Sequence, residues 1–388
     1  MTIGEKSLKK HYEWKGKIET KTKVNLQTKE DLMLAYTPGV ATPCLEIEKD
    51  PNKSFLLTNR ANQVLVVTDG TAVLGLGDIG PLAGMPVMEG KALLFKHFAD
   101  VDAIPLCIAS KDMEEIIRTI KLIAGNFAGI NLEDISAPRC FKIEQRLKEE
   151  LDIPVFHDDQ HGTAVVTAAA LINALKIVNK KIEDVKIVIN GAGAAGIAIA
   201  EFLLFLGAKD LILVDRTGIL SKDEQQSNNA KQDIAKKTNH RLIKGDLSVA
   251  LKNADVFIGV SVGNIVTKEM IKLMKKDPIV FPLANPIPEI TPTLAKEAGA
   301  KVVGSGSNLY ENQINNALVF PGLFKGAMLA NAKSITHHMM ESAAHAIADY
   351  VKDDLRSDYI IPSVLDMGVH KAVIESVRKK ALEDGNVR

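Results

Sequence analysis

Several kinds of residue are scarce in this chain, and each scarcity excludes a class of protein. Three cysteines in 388 residues, Cys44, Cys107 and Cys140, stand far apart and in no zinc or redox spacing. That excludes a disulfide scaffold and a thiolate metal site, and it fits reduced thiols in the cytoplasm. Neither sign of charge is in excess, since 48 Lys+Arg balance 48 Asp+Glu. A chain so balanced has no electrostatic footprint for nucleic acid or an anionic membrane. The longest apolar stretches, residues 164–172 and 197–206, are too short or interrupted to span a bilayer. No apolar stretch near the N-terminus has the form of a secretory signal. Lysines crowd that region (Lys6, Lys9, Lys10, Lys15, Lys17, Lys21, Lys23, Lys29) and read as a solvated helix face.

The chain is 46% hydrophobic and 25% charged, an ordinary balance for globular domains, and its length accommodates two domains of ~150 residues each. Short apolar runs at 64–67, 103–108 and 130–132 read as strands, and 113–123 repeats apolar residues at helical spacing. A glycine-studded loop is expected at 75–90, with a helix starting at Lys91. Residues 163–177 form a long apolar helix, and the polar stretch 221–240 reads as loop plus exposed helix. Strands are expected at 256–260, 279–281 and 301–303, and a helix over 324–350. The pattern predicts an α/β protein. An N-terminal α/β domain is expected over residues 1–160, and a second domain with a parallel sheet over 161–388.

The clearest βαβ unit holds a strand at 185–189, the turn Gly191-Ala192-Gly193-Ala194-Ala195-Gly196, a helix at 197–206 and a strand at 211–214 ending at Asp215. The first glycine permits a tight turn, the second lets the backbone approach a pyrophosphate, and the third allows close helix–strand packing. The helix N-terminus attracts the anion. Asp215 stands where a carboxylate accepts from ribose hydroxyls and repels a 2′-phosphate, which favours NAD, with NADP as the alternative because Arg216 and Lys222 follow.

Two acidic pairs close apolar runs, Glu133-Asp134 after 130–132 and Asp158-Asp159 after 153–156, and Gly162-Thr163 then opens a helix. Carboxylates gathered at strand ends suit a hard divalent cation. His157 and His161 flank the second pair, but their carboxylate-rich surroundings favour a hard ion over zinc. A metal beside a dinucleotide fold points to redox chemistry on a small chelating acid.

Separated motifs also carry a family resemblance. Tyr36-Thr37-Pro38-Gly39-Val40-Ala41 resembles the tyrosine motif of malic enzymes, and the segment from Gly75-Leu76-Gly77-Asp78 to Glu89-Gly90-Lys91 resembles their lysine motif. Asn131-Leu132-Glu133-Asp134-Ile135 and Phe156-His157-Asp158-Asp159-Gln160-His161-Gly162-Thr163 are similar to their metal motifs. Ala284-Asn285-Pro286 and Asn312-Gln313-Ile314-Asn315-Asn316 are similar to their asparagine motifs. Two departures stand out. Ser307-Asn308-Leu309-Tyr310-Glu311 replaces an Arg-Ser-Asp-aromatic-Pro run, and Ala72-Val73 stands where long-form relatives place a substrate arginine.

The resemblance implies oxidative decarboxylation of (S)-malate to pyruvate and CO2 by a cytoplasmic homodimer, using NAD(P) and Mg2+ or Mn2+. It implies an N-terminal α/β catalytic domain over 1–160, a C-terminal Rossmann-type NAD(P)-binding domain with a parallel sheet and C-terminal helices over 161–388, and metal ligands Glu133, Asp134 and Asp159. Lys91 would be the base, Tyr36 the acid and Asp158 the orienting carboxylate. Thr163, Gly191, Ala192, Gly193, Ala194, Ala195, Gly196, Asp215, Arg216 and Asn285 would bind the cofactor, and Asn285 and Asn316 the substrate. A free lysine titrates near ~10.4, so a basic Lys91 is expected to be depressed by ~2–3 units. The competing expectations are a metal-dependent oxaloacetate decarboxylase of the same family and a non-catalytic NAD-binding regulatory protein.

Overall fold

A computed structural model describes residues 1–73 and 75–388. Its first sheet has four parallel strands, β1 (Gln63–Thr68), β2 (Asp102–Cys107), β3 (Gly129–Leu132) and β4 (Val155–His157), in the order β2-β1-β3-β4. Alternate residues of β1 serve two cores. Val64 and Val66 face the helix Pro81–Ala99, while Leu65 and Val67 pack with Ile116 and Ile120 of the helix Met113–Ile123. A strand buried on both faces reads as an unbroken apolar run, as 64–67 does. Asp112 caps the second helix by accepting from the Glu115 N–H at 2.9 Å.

The second sheet holds β5 (Lys186–Asn190), β6 (Asp210–Asp215), β7 (Gly218–Ile219), β8 (Val256–Gly259), β9 (Ile279–Pro282) and β10 (Val302–Val303), in the order β10-β9-β8-β5-β6-β7. All its pairings are parallel except β6 with β7. The strand order reverses on either side of β5, and in such sheets ligands bind outside the carboxyl ends of the strands at that switch point. The helix Thr163–Ile177, almost wholly apolar and buried, joins the two sheets. Helices Phe320–Leu329, His337–Tyr350 and Met367–Glu383 then return to the first sheet. There Phe320 and Phe324 meet Phe95 with ring centroids 4.8 and 5.4 Å apart, and Phe324 meets Phe156 at 5.9 Å.

Two expectations are corrected. The helix expected from Lys91 begins ten residues earlier, at Pro81, whose fixed φ suits a first helical position. Its glycines do not break it: Gly84 and Gly90 lie within the helix, where each costs only about 1 kcal/mol relative to alanine. The single helix expected over 324–350 is two. Asn331 turns left-handed (φ 51°) after Leu329 and ends the first, and Thr336 caps the second.

The N-terminal helices Ile3–Trp14, Lys29–Ala35, Ala41–Lys49 and Ser54–Leu57 contain no buried residue. Capping boxes at Thr2 and Thr28 fix the first two locally. No helix among the described residues is long and apolar enough to cross a membrane.

Candidate active site

Parallel register brings the acidic pairs together. Leu132 of β3 lies opposite His157 of β4, so Glu133-Asp134 and Asp158-Asp159 leave neighbouring strand ends. Asp134 adopts a left-handed backbone (φ 53°), and the surroundings hold it there. Its N–H donates to Asp159 Oδ2 at 2.7 Å, and its carbonyl accepts from the Ala72 N–H at 2.9 Å. Beneath it, Arg139 Nη2 donates to Asp69 Oδ2 at 2.8 Å and to Thr71 Oγ1 at 2.9 Å, and Thr71 Oγ1 accepts from the Ser136 N–H at 3.0 Å. The sequence reading missed this brace, although Asp69 ends the strand beside β3.

One carboxylate oxygen from each of Glu133, Asp134 and Asp159 lies within 4.8 Å of the others. Burial, then mutual repulsion, pushes Glu133 to about 7 and Asp134 to about 9, and burial likewise raises Asp159. Asp134 Oδ2 is buried with no hydrogen-bond partner among the described residues. An all-oxygen set this closely spaced, with an unused buried acceptor, fits a hard divalent cation.

Lys91 projects from the buried face of its helix between Asp158 Oδ2, at 2.6 Å, and Glu133 Oε1, at 2.7 Å, with Phe320 4.2 Å beneath its ammonium. Burial acts to lower this lysine, but Asp158, Glu133 and Asp159 outweigh it and hold the group above its ordinary value. That corrects the expected depression: burial is the largest single influence, but the surrounding carboxylates together stabilise the ammonium more than burial penalises it. Asp158 itself is pushed to about 7, first by burial. The Asn316 amide donates to the same Asp158 oxygen at 2.5 Å. A Cβ on Gly162 would stand 1.9 Å from Asp158 Oδ1, so the glycine makes room for this carboxylate.

Behind the acids sits Glu144, a second residue that sequence reasoning missed. It is buried on the helix Arg139–Glu150 and accepts from the His157 N–H at 3.1 Å, while pairing with His161 Nε2 at 2.9 Å and Lys148 at 2.7 Å. Burial drives His157 down to about 4, so its ring is neutral. Glu144→Ala is expected to cost about 3–5 kcal/mol by stranding these partners. Urea unfolding of the variant checks this, and an unchanged midpoint would show that Glu144 holds nothing in place.

The glycine turn has the shape that its sequence demands. Gly191 has φ 115°, and a Cβ there would stand 2.6 Å from the Val260 carbonyl oxygen. A Cβ on Gly196 would come within 1.7 Å of the Gly191 oxygen, whereas one on Gly193 meets nothing within 4 Å. The open space over Gly193 beside the N-terminus of the helix Ala194–Phe205 fits a pyrophosphate. Ala192 is buried within the turn. Asp215 ends β6, where one oxygen accepts from the Arg216 N–H at 2.7 Å and the other pairs with Lys231, a partner not foreseen. Buried Glu289 accepts from the Ser261 N–H at 2.8 Å and the Ala284 N–H at 3.1 Å, tying the loops after β8 and β9 together.

The carboxyl ends of both sheets open on one cavity of about 1380 Å³. Lys91, Glu133, Asp134 and Asp159 line it, together with Thr163, Ala194, Ala195, Asn285 and Asn316. Lys17 and Trp14 reach its rim, so one of the lysines expected to be merely solvated is not. Asp158 lies behind the wall and touches the cavity through Lys91. Tyr36 does not join this group: it is 65% exposed and lies outside the cavity lining.

Residues 15–148 match the family model of the malic enzyme N-terminal domain, and residues 160–382 match that of the malic enzyme NAD binding domain. The chain belongs to the malic enzyme family. It is 56% identical over 374 residues to an NAD-dependent malic enzyme of Geobacillus stearothermophilus, covering 96% of this chain and 78% of the relative. It is 51% identical over 390 residues to a bifunctional malic/malolactic enzyme of Bacillus subtilis, covering 100% and 95%. The crystal structure of an NAD-dependent malic enzyme from Thermotoga maritima superimposes with a TM-score of 0.93 at 51% identity, covering 96% of this chain and 98% of that one. Strands β1 to β3 and the pair Glu133-Asp134 therefore fall in the malic enzyme N-terminal match and the glycine turn in the NAD-binding match, while β4 and the pair Asp158-Asp159 lie between the two.

Proposed function

We propose that this malic enzyme oxidatively decarboxylates (S)-malate to pyruvate and CO2, with NAD as the preferred acceptor. The observation that carries the reading is Lys91, wedged between Asp158 and Glu133 in a cavity that the dinucleotide turn also lines. A divalent cation held by Glu133, Asp134 and Asp159 would acidify the malate hydroxyl and stabilise charge on its oxygen, and NAD would accept the hydride. Everything else falls to the chain. Lys91 must take the hydroxyl proton, yet it rests as an ammonium. Asp158, at 2.6 Å and poised near neutrality, can receive one ammonium proton first, so the pair acts as a single base. Asn316 fixes that carboxylate by its hydrogen bond, and Asn285, on the cavity wall, presents an amide to a carboxylate or carboxamide. The proton for C3 of enolpyruvate is assigned to Tyr36 on its motif alone, since the fold of this chain holds that side chain outside the cavity.

Asp215 supports NAD by offering an acceptor to the ribose hydroxyls, and its pairing with Lys231 leaves NADP usable. We further divide the enzyme at residue 160 and read it as a cytoplasmic homodimer, the compartment resting on three free cysteines. Steady-state kinetics with malate, varying NAD against NADP and Mg2+ against Mn2+, test the reading. Pyruvate without reduced cofactor, obtained from oxaloacetate alone, would move the assignment to a decarboxylating lyase.

Metal binding should also release protons. With Glu133 near 7 and Asp134 near 9, both carboxyls hold protons in the metal-free chain on the acid side of these values, and a cation must displace them. Affinity for Mn2+ is therefore expected to rise with pH up to about 9. Calorimetry in buffers of different ionisation enthalpy measures the protons released, and a pH-independent affinity would contradict the assignment of these acids as ligands.

A further inference from the structure

Malate enters as a dianion, and only the carboxylate beside its hydroxyl can join that hydroxyl in chelating a cation held by Glu133, Asp134 and Asp159. The carboxylate at C4 must find its partner elsewhere in the cavity. We infer that Lys17 receives it, so that this lysine sets the preference of the enzyme for a dicarboxylic acid. The inference rests on the malate-oxidising reading, and three observations carry it.

The first is the shortage of other cations. Among the described residues, the basic side chains that line the cavity are His11, Lys17, Lys91 and His157. Lys91 is held by Asp158 at 2.6 Å and Glu133 at 2.7 Å. His157 is neutral, because burial drives it down to about 4. His11 is turned to its own helix, with Nδ1 2.8 Å from the Ser7 carbonyl. Ala72 and Gly75 bring no charge to the lining, and one N–H of Asn316 already goes to Asp158. That leaves Lys17, whose ammonium makes no ion pair among the described residues.

The second is position. The Lys17 backbone is fixed at the cavity mouth, where its N–H donates to Glu89 Oε2 at 3.1 Å. A Cβ on Gly90 would stand 3.8 Å from the Lys17 ammonium, which therefore lies against the residue next to Lys91. Pro86 and Gly90 stand four residues apart on the helix Pro81–Ala99, as do Val87 and Lys91. Residues so spaced share a helix face, so Lys17 lies along the row beside the one that ends in Lys91.

The third is a partner that the lysine can give up. Its ammonium donates to the Pro86 carbonyl at 2.6 Å. A carboxylate accepts from an ammonium more strongly than a neutral carbonyl does, and the flexible four-carbon stem lets a half-buried lysine turn from one to the other. The C4 carboxylate leaves as CO2, so a cation that gripped it more tightly as its charge departed would oppose the reaction. A flexible lysine at the mouth instead holds the substrate and the transition state alike, which lowers KM without touching kcat.

Lys17→Met tests this, since it keeps much of the stem and removes the charge. With Mn2+ present and NAD absent, malate affinity by calorimetry is expected to fall about 10-fold. KM for malate should rise equally, with kcat held within about 2-fold. Oxalate is the control probe, because it chelates a cation through both carboxylates and has none left over. Its affinity should not change. Lys17→Arg should restore most of the malate affinity, and added salt should weaken malate binding more in the wild type than in Lys17→Met. Unchanged malate affinity in Lys17→Met overturns the proposal. So does a parallel loss of oxalate affinity, which would show that Lys17 holds the mouth together rather than the substrate. A wild type that binds malate without oxidising it would count against the functional reading, while the comparison of malate with oxalate would still decide the role of Lys17.

Discussion

Lys91→Ala is expected to lower turnover of malate by ~10²–10⁴-fold while leaving NADH affinity unchanged. The lysine is the cationic group that bridges Asp158 and Glu133, at 2.6 and 2.7 Å, where a proton must leave the substrate hydroxyl. The glycine turn lies on another element, so a cofactor titration separates lost chemistry from lost structure. Removing a buried cation also leaves Asp158 and Glu133 facing each other without compensation. The expected response is for one of them to take up a proton, because both already stand near 7. Fluorescence titration with NADH and single-turnover malate oxidation are the measurements. Near-normal oxidation by the folded variant would remove Lys91 from the proton path.

Asp159→Asn should be comparably severe by another route. It keeps an oxygen to accept from the Asp134 N–H, now bonded at 2.7 Å, so the left-handed turn at Asp134 survives. It removes one of three charges from the proposed cation site. Loss of several kcal/mol of charge stabilisation corresponds to at least ~10²-fold in turnover. The apparent metal requirement should rise in parallel, read as Mn2+ affinity by calorimetry. Unchanged affinity with unchanged turnover would show that Asp159 only braces Asp134.

Most of the scaffold is legible because local and global signals agree. The unbroken run 64–67 is a strand covered on both faces, and the turn from Gly191 to Gly196 is set by backbone approaches that only glycine permits. Among the site residues, those at strand ends can be read because register follows from parallel pairing. What cannot be read depends on distant packing. Glu144 looks like any surface glutamate on an amphipathic helix until the fold turns it beneath His157. Lys231 lies on a polar helix that nothing in sequence aims at Asp215. The charge state of Lys91 depends on how Asp158, Glu133 and Asp159 close around it, which spacing does not encode. The break near Asn331 is a single left-handed residue inside an otherwise helical pattern.

The aromatic contacts of Phe320 and Phe324 with Phe95 and Phe156 bear on how the chain is made. A ribosome releases the first sheet long before these two phenylalanines exist. Until they arrive, Phe95 and Phe156, both fully buried in the finished molecule, lack the rings that cover one side of them. A nascent chain stopped at residue 160 would thus hold its sequence motifs yet offer a sticky aromatic face to chaperones. The order of synthesis and the order of completion differ: the part made first is sealed last.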